Sequence, residues 1–289
     1  MKRALISLFI AATVLVVACD INIDPQTEPV TETATETVVT SETTTESTTE
    51  TTTVETTEPV PEKEYFVFGH YEQDGNKDNG PEPIEWEVLA EEDGKMLLIS
   101  RYILDCKPYA KPNQLKKAVT WNICYLRSWL NKDFYNKAFD KAEKGKILTS
   151  KLKNPGNPVS KVKGSKNTDD KVFVLSVEEI LNYYEFNYLN EEIGTGYCQA
   201  IIAEATPYAV SQNIFVYTIP SDEAKEFLDV GYSEDLTGRE FSYWWLRSVG
   251  EKDTYVCYAG ARGYVGWNYN YYAGMVSTGV RPAVWIKVD

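Results

Sequence analysis

Histidine is nearly missing from this chain: His70 is the single one in 289 residues. That scarcity excludes the ordinary Ser-His-Asp and Cys-His catalytic sets, unless His70 itself acts as the base. A histidine alone in a strand is as a rule a satisfied structural or surface residue. The five cysteines stand at 19, 106, 124, 198 and 257, and no two have C-x-x-C spacing. A zinc ribbon and a redox dithiol are thereby excluded. Residues 20–62 contain no Lys, no Arg and no aromatic side chain. The apolar run at 4–17 falls short of the roughly 20 residues that a membrane helix needs.

What is present at the start reads as an export signal. Lys2 and Arg3 precede the apolar run, which ends in Val16-Val17-Ala18-Cys19. A charged start, a short apolar core and a small residue before the cut describe a secretory signal over 1–18. The Cys placed directly after the small residue is similar to a bacterial lipobox. Cys19 is therefore expected to be lipidated and to anchor the mature chain at the extracellular face of the cytoplasmic membrane. Residues 19–63 then turn to Thr, Glu, Val and Pro, as in TESTTETTTVETTEPVPE, with eleven acidic residues over 20–62. Such a segment cannot bury enough apolar surface to offset chain entropy, and its like charges extend it, so a disordered stalk is expected.

The formal net charge of −14 belongs largely to that stalk. Beyond residue 62 the chain holds 27 basic and 32 acidic residues, a net of −5. That is an ordinary soluble surface, and no nucleic-acid partner is expected. Residues 64–289 are long enough, and rich enough in Tyr and Trp, for one domain with a sizeable core. The four cysteines of this domain allow two disulfides, Cys106–Cys124 being the pair nearest the first helix, or buried thiols.

Periodicity predicts strands first: YFVFGHY, IEWEVLAEE, then KMLLISRYIL after an Asp93-Gly94 hairpin turn. Thr120 is read as the cap of one helix over TWNICYLRSWLNKDFYNKAF, and Ser176 with Glu179 as a capping box for another. A shorter helical piece at QAIIAEATPYAVSQ breaks near Pro207. SYWWLRSVG, TYVCYAG, YVGWNY and PAVWIKV close the chain as strands between Gly-rich turns. Strands, helices, then strands make an α+β domain.

Several of these stretches together carry a resemblance. PIEWEVL, DGKMLLISRYILDCKPY, TWNICYLRSWLN, DKVFVLSVEE, YWWLRSVG and GVRPAVWI look like an uncharacterised domain family of exported lipoproteins in Gram-positive gut bacteria. WWLRS and GVRPA also resemble the C-type-lectin-like fold of formylglycine-generating-enzyme relatives and of the variable proteins of diversity-generating retroelements. That resemblance implies a mixed sheet with helices packed on one side. It implies no enzyme directly: the formylglycine type needs a reactive Cys pair near the C-terminus, where only Cys257 stands, and iron-dependent relatives need a His cluster. No catalytic residue is assigned. A cell-envelope enzyme or processing factor using His70, or the carboxylates Glu85, Glu87, Glu178 and Glu179, is the alternative reading.

Three further sets carry chemistry. Asp74, Asn76 and Asp78 alternate, with Glu85 eleven residues after Asp74, as in a calcium loop. However, Asn79 takes the sixth position, where the calcium loop wants Gly, and the same residues serve turn geometry. No metal or other cofactor is assigned, and Ca2+ stays the weak alternative. Trp86, Trp121, Trp129, Trp244, Trp245 and Trp285 are assigned to the core with Arg247 and Arg281, which would pair with carboxylates or carbonyls.

The third set is the stretch 251–278, which lacks Leu, Ile and Phe. It interleaves Tyr with Asn, Gly, Ala and Ser, the composition of matured paratopes rather than of a buried strand. Read as one extended strand, 266–274 puts Trp267, Tyr269 and Tyr271 on one face and Asn268, Asn270 and Tyr272 on the other. The ligand-binding set is therefore Tyr255, Tyr258, Arg262, Tyr264, Trp267, Asn268, Tyr269, Asn270, Tyr271 and Tyr272, and its expected partner is an extracellular protein or glycan. Alternation leaves open that the aromatic face packs inward. In the diversity-generating proteins, template Asn codons are randomised; most residues of this stretch are reachable that way, but Trp267 and Met275 are not.

Overall fold

A computed structural model describes residues 65–229 and 235–288. The expected signal at 1–18, Cys19 and the segment 19–63 lie outside the described residues. Asp93 and Gly94 take φ of 48° and 71°, the left-handed pair that a two-residue hairpin requires. They join Glu82–Glu92 to Lys95–Ser100, with Glu92 opposite Lys95. Phe66–Tyr71 and Ala283–Lys287 complete an antiparallel four-stranded sheet, one on each edge. The fold thus draws the beginning and the end of the described domain into one sheet.

The second sheet has five strands in the order Asn270–Tyr272, Tyr255–Ala259, Trp244–Val249, Gly279–Val280, Asp105–Cys106. The contact between Trp244–Val249 and Gly279–Val280 is parallel, and the others are antiparallel. Short helices and several two- or three-stranded ribbons fill the chain between the sheets. The domain is mixed α+β.

Ser176 and Glu179 form the capping box read from the sequence, opening the helix Val177–Tyr183. The segment after Thr120 departs from its prediction. Thr120 makes no side-chain cap; Trp121–Ile123 is a 3-10 turn, and Cys124 is the cap, its sulfur accepting from Arg127 N at 3.3 Å. Tyr125–Trp129 then passes through a π turn at Leu130–Phe134 into Tyr135–Ala138. Tertiary anchors override local propensity here. Trp121 Nε1 and Arg127 Nε both donate to the buried Asp170 carboxylate, at 2.9 and 2.6 Å, while Asn131 spans Lys171 and Val172. The piece at 199–212 is interrupted before Pro207, as read: Gln199–Ile201 is a 3-10 turn, and Pro207–Ser211 starts a new helix behind a Thr206 cap, where the proline's missing N–H costs nothing.

Trp86, Trp121, Trp244 and Trp245 are each 1% exposed or less, and Trp129 is also buried. Removing any fully buried ring of this size costs about 3–5 kcal/mol. Trp285 departs from its core assignment: it is only partly buried, and the Lys95 ammonium lies 4.7 Å over its ring. Alternation along Ala283–Lys287 sends Val284 and Ile286 inward and leaves Trp285 on the other face. Arg281 is sealed beneath Trp244; its Nε donates to Ser100 O at 2.7 Å and its Nη2 lies 3.3 Å from Glu87.

All four cysteines of the described domain are buried free thiols, so the Cys106–Cys124 disulfide is not formed. Burial pushes the Cys106 and Cys124 thiols up to about 12. Neither is a thiolate nucleophile at neutral pH.

Candidate ligand-binding surface

The tyrosine-rich stretch is not one strand. Tyr264–Gly266 ends in a turn at Trp267 and Asn268, and Asn270–Tyr272 pairs with Tyr255–Ala259 in the register Tyr255↔Tyr272, Val256↔Tyr271, Cys257↔Asn270. The turn breaks the expected alternation, and each residue's role follows from its place after that break.

Trp267 is 8% exposed and belongs to the core. Its carbonyl accepts from Asn157 Nδ2 at 2.9 Å, so it is a scaffold residue and not a ligand contact. Asn270 is likewise corrected. It lies opposite the fully buried Cys257, and both its amide atoms are shut from solvent without a hydrogen-bond partner. Asn268 is exposed and accepts from the Thr195 hydroxyl.

The tyrosines, by contrast, gather at the surface. Tyr258 and Tyr271, diagonal neighbours on one face of the strand pair, stack with centroids 4.3 Å apart and planes 9° apart. Tyr243 stands edge-on to both, at 5.3 and 5.7 Å, and Phe215 stacks on Tyr243 at 5.4 Å. From Tyr258 the series continues through Tyr269, Tyr264 and Tyr197 to Tyr188, with successive centroids 6.4, 5.3, 4.2 and 5.9 Å apart. Apart from Tyr258–Tyr271 and Tyr197–Tyr264, which are closer, each pair lies in the range at which aromatic edges and faces attract. The rings between the two ends are half-buried, while Phe215 and Tyr188 at the ends are 45% and 52% exposed. Tyr255 and Tyr272 form a separate edge-on pair at 6.3 Å.

Arg262 flanks the ladder, its guanidinium 4.9 Å over Tyr264 and 5.8 Å over Tyr217, and it pairs with Glu223 at 2.9 Å. Burial, reinforced by neighbouring tyrosines, pushes Tyr243 and Tyr269 up to about 12 and raises Tyr258 and Tyr264 further. At neutral pH each is a phenol able both to donate and to accept.

Sequence reasoning missed Phe215, Tyr243, Tyr197, Tyr188 and Tyr217, which lie outside 251–278. Only Tyr243 carried a signal, since alternation in SYWWLRS turns Tyr243 away from Trp244. For the rest, no local pattern links them.

The other sequence sets fare differently. Asp74, Asn76 and Asp78 close a turn: Asp74 Oδ1 accepts from Asn76 N at 2.6 Å, and Asn76 Oδ1 from Asp78 N at 3.2 Å. Hydrogen bonds from Asn76 N and the Asn79 amide hold the Asp74 carboxyl below its usual range. Glu85 leaves this set to pair with Arg101 at 2.7 Å. Among the described residues the acidic groups that converge within 4.8 Å are instead Glu72, Asp74 and Glu82. Glu72 and Glu82 there accept backbone N–H groups of Gly75 and Gln73. His70 is exposed on Phe66–Tyr71, opposite Pro83. Glu87 and Glu179 are engaged by Arg281 and Arg247, and Glu178 is exposed. Among the described residues no helix is long and apolar enough to cross a membrane.

Neither the curated proteins nor the solved structures contain a match to this chain. A family model for a domain of unknown function, DUF6273, matches residues 93–288. The match begins at the Asp93-Gly94 turn, so the first two strands of the four-stranded sheet stand before it. Covering well over half of the chain, the match makes this protein a member of the DUF6273 family.

Proposed function

We propose that the protein is a surface-exposed binding module that recognises an extracellular protein or glycan through its tyrosine ladder. In this reading residues 1–18 direct export, Cys19 carries the lipid, and 19–63 lift a domain of C-type-lectin-like architecture off the membrane. The observation that carries the reading is the unbroken series of rings from Phe215 to Tyr188. A row of rigid aromatic rings, all but one carrying a hydroxyl, offers large contact area at low entropy cost. Buried ring anchors of this kind contribute on the order of 1–2 kcal/mol each to a complex. Phe215, Tyr269 and Tyr188 are the contacts; Tyr258 and Tyr271, stacked on each other, hold the ladder together.

The test applies the full chain and a Tyr188→Ala/Tyr269→Ala variant to glycan and protein arrays. Wild-type binding that disappears in a variant of unchanged melting temperature supports the reading. Equal signals from both proteins on every arrayed ligand end it.

A further inference from the structure

A cleft of about 950 Å3 lies away from the ladder and shares no lining residue with it. One wall is the loop 160–166, SKVKGSK, and the other runs from Ala118 to Ile123, with Asp253 between them. Lys161, Lys163 and Lys166 line the cleft and are exposed. Three more exposed lysines adjoin it: Lys116 and Lys117, just before Ala118, and Lys252, just before Asp253. Three lysines and one carboxylate, Asp253, thus line the cleft, and three more lysines lie one or two residues from its lining in the chain, in a domain whose net charge is negative.

The loop that presents these lysines is fixed in place. Asn157 is 2% exposed; its Nδ2 donates to Val249 O and Trp267 O, and its Oδ1 accepts from Val159 N and Ser160 N. Asn157 N and Ser165 N close the loop onto Val162 O and Asn154 O, both at 2.9 Å. At Gly164 a Cβ would lie 2.2 Å from Asn154 O, so the doubled-back chain admits only glycine there.

We infer that this cleft binds an anionic glycan, a sugar chain bearing carboxylate, sulfate or phosphate groups. Charge complementarity sets the sign of the ligand, since clustered lysines in a concave site focus a positive field. The walls set its class. Thr120, Asn122, Ser160 and Ser165 alternate with the lysines and offer hydroxyl and amide groups to a sugar's own hydroxyls. No aromatic ring lines the cleft to stack on a base, and no arginine to grip a base edge with two bonds. The inference is independent of the ladder, because the two use different residues.

The test measures binding of the full chain to polygalacturonate and dextran sulfate, with neutral dextran, duplex DNA and phosphatidylglycerol vesicles in parallel. The inference expects both anionic glycans to bind, neutral dextran to fail, and affinity to fall with salt. Lys163→Gln/Lys166→Gln should weaken glycan binding about tenfold or more and lower the salt slope. Lys77→Gln/Lys225→Gln removes equal charge elsewhere and should change little. The inference is overturned by absent glycan binding or by equal losses in the two lysine pairs. Duplex DNA or vesicles bound as tightly as the glycans, by the same lysines, overturn it as well.

Discussion

Arg247 holds both carboxylate oxygens of Glu179, with Nη2 at 2.6 Å from Oε1 and Nη1 against Oε2. Glu179 is also the residue that reaches back to Ser176 N at 2.9 Å to close the capping box. One carboxylate therefore ties the start of the helix Val177–Tyr183 to the central strand Trp244–Val249 of the second sheet. Arg247 is 4% exposed and donates further to Val174 O at 3.1 Å.

Removing one partner from such a pair leaves a charge without compensation. Arg247→Ala is expected to destabilise the domain by about 3–5 kcal/mol in urea unfolding. Arg247→Lys should recover little of this, because an ammonium cannot reproduce the two parallel bonds. Full recovery by lysine would show that charge alone matters at this site.

Gly69 has φ +76°, and a Cβ there would lie 2.7 Å from the Phe139 ring. Both the backbone conformation and the contact therefore oppose a side chain. Gly69→Ala should lower stability by about 1–3 kcal/mol, visible as a reduced melting temperature; an unchanged value would mean that Phe139 moves freely.

The orphaned amide of Asn270 is a cost without a return. Replacing it with an apolar side chain removes the desolvation penalty, so Asn270→Val should raise stability by about 1 kcal/mol. A fall in the denaturation midpoint would show that the amide is satisfied in solution.

The thiols and phenols predict an alkaline limit. Cys106 and Cys124 are pushed up to about 12 from an ordinary 9, and Tyr243 and Tyr269 to about 12 from an ordinary 10. Their folded values exceed their unfolded ones, so the folded state holds more protons between these limits. Stability is full below pH 9 and declines as pH rises from 9 towards 12. Urea midpoints at stepped pH should trace that decline. Alkylation with iodoacetamide at pH 8 should leave Cys106, Cys124, Cys198 and Cys257 unmodified until denaturant is added. Rapid modification in the native state would contradict their burial.

The parts of the fold that the sequence made legible are those set by neighbouring residues. The Asp93-Gly94 turn, the Ser176–Glu179 capping box, and burial of Trp86, Trp121, Trp244 and Trp245 each depend on a few adjacent positions. The helix after Thr120 was misread because its path is set from a distance, by Asp170 and Val172. Trp267 and Asn270 were misplaced because a two-residue turn resets the alternation on which the face assignment relied.

By itself the sequence determined composition and sign: a chain with one histidine, a tyrosine-rich stretch without Leu, Ile or Phe, and an acidic excess concentrated in residues 20–62. Only the tertiary structure decided which tyrosines share a surface and which lysines share a cleft. Edge-on contact between Tyr243 and Tyr258, or between Tyr197 and Tyr264, depends on strand register and loop closure. Those bring together residues far apart in the chain, and no local pattern encodes that distance.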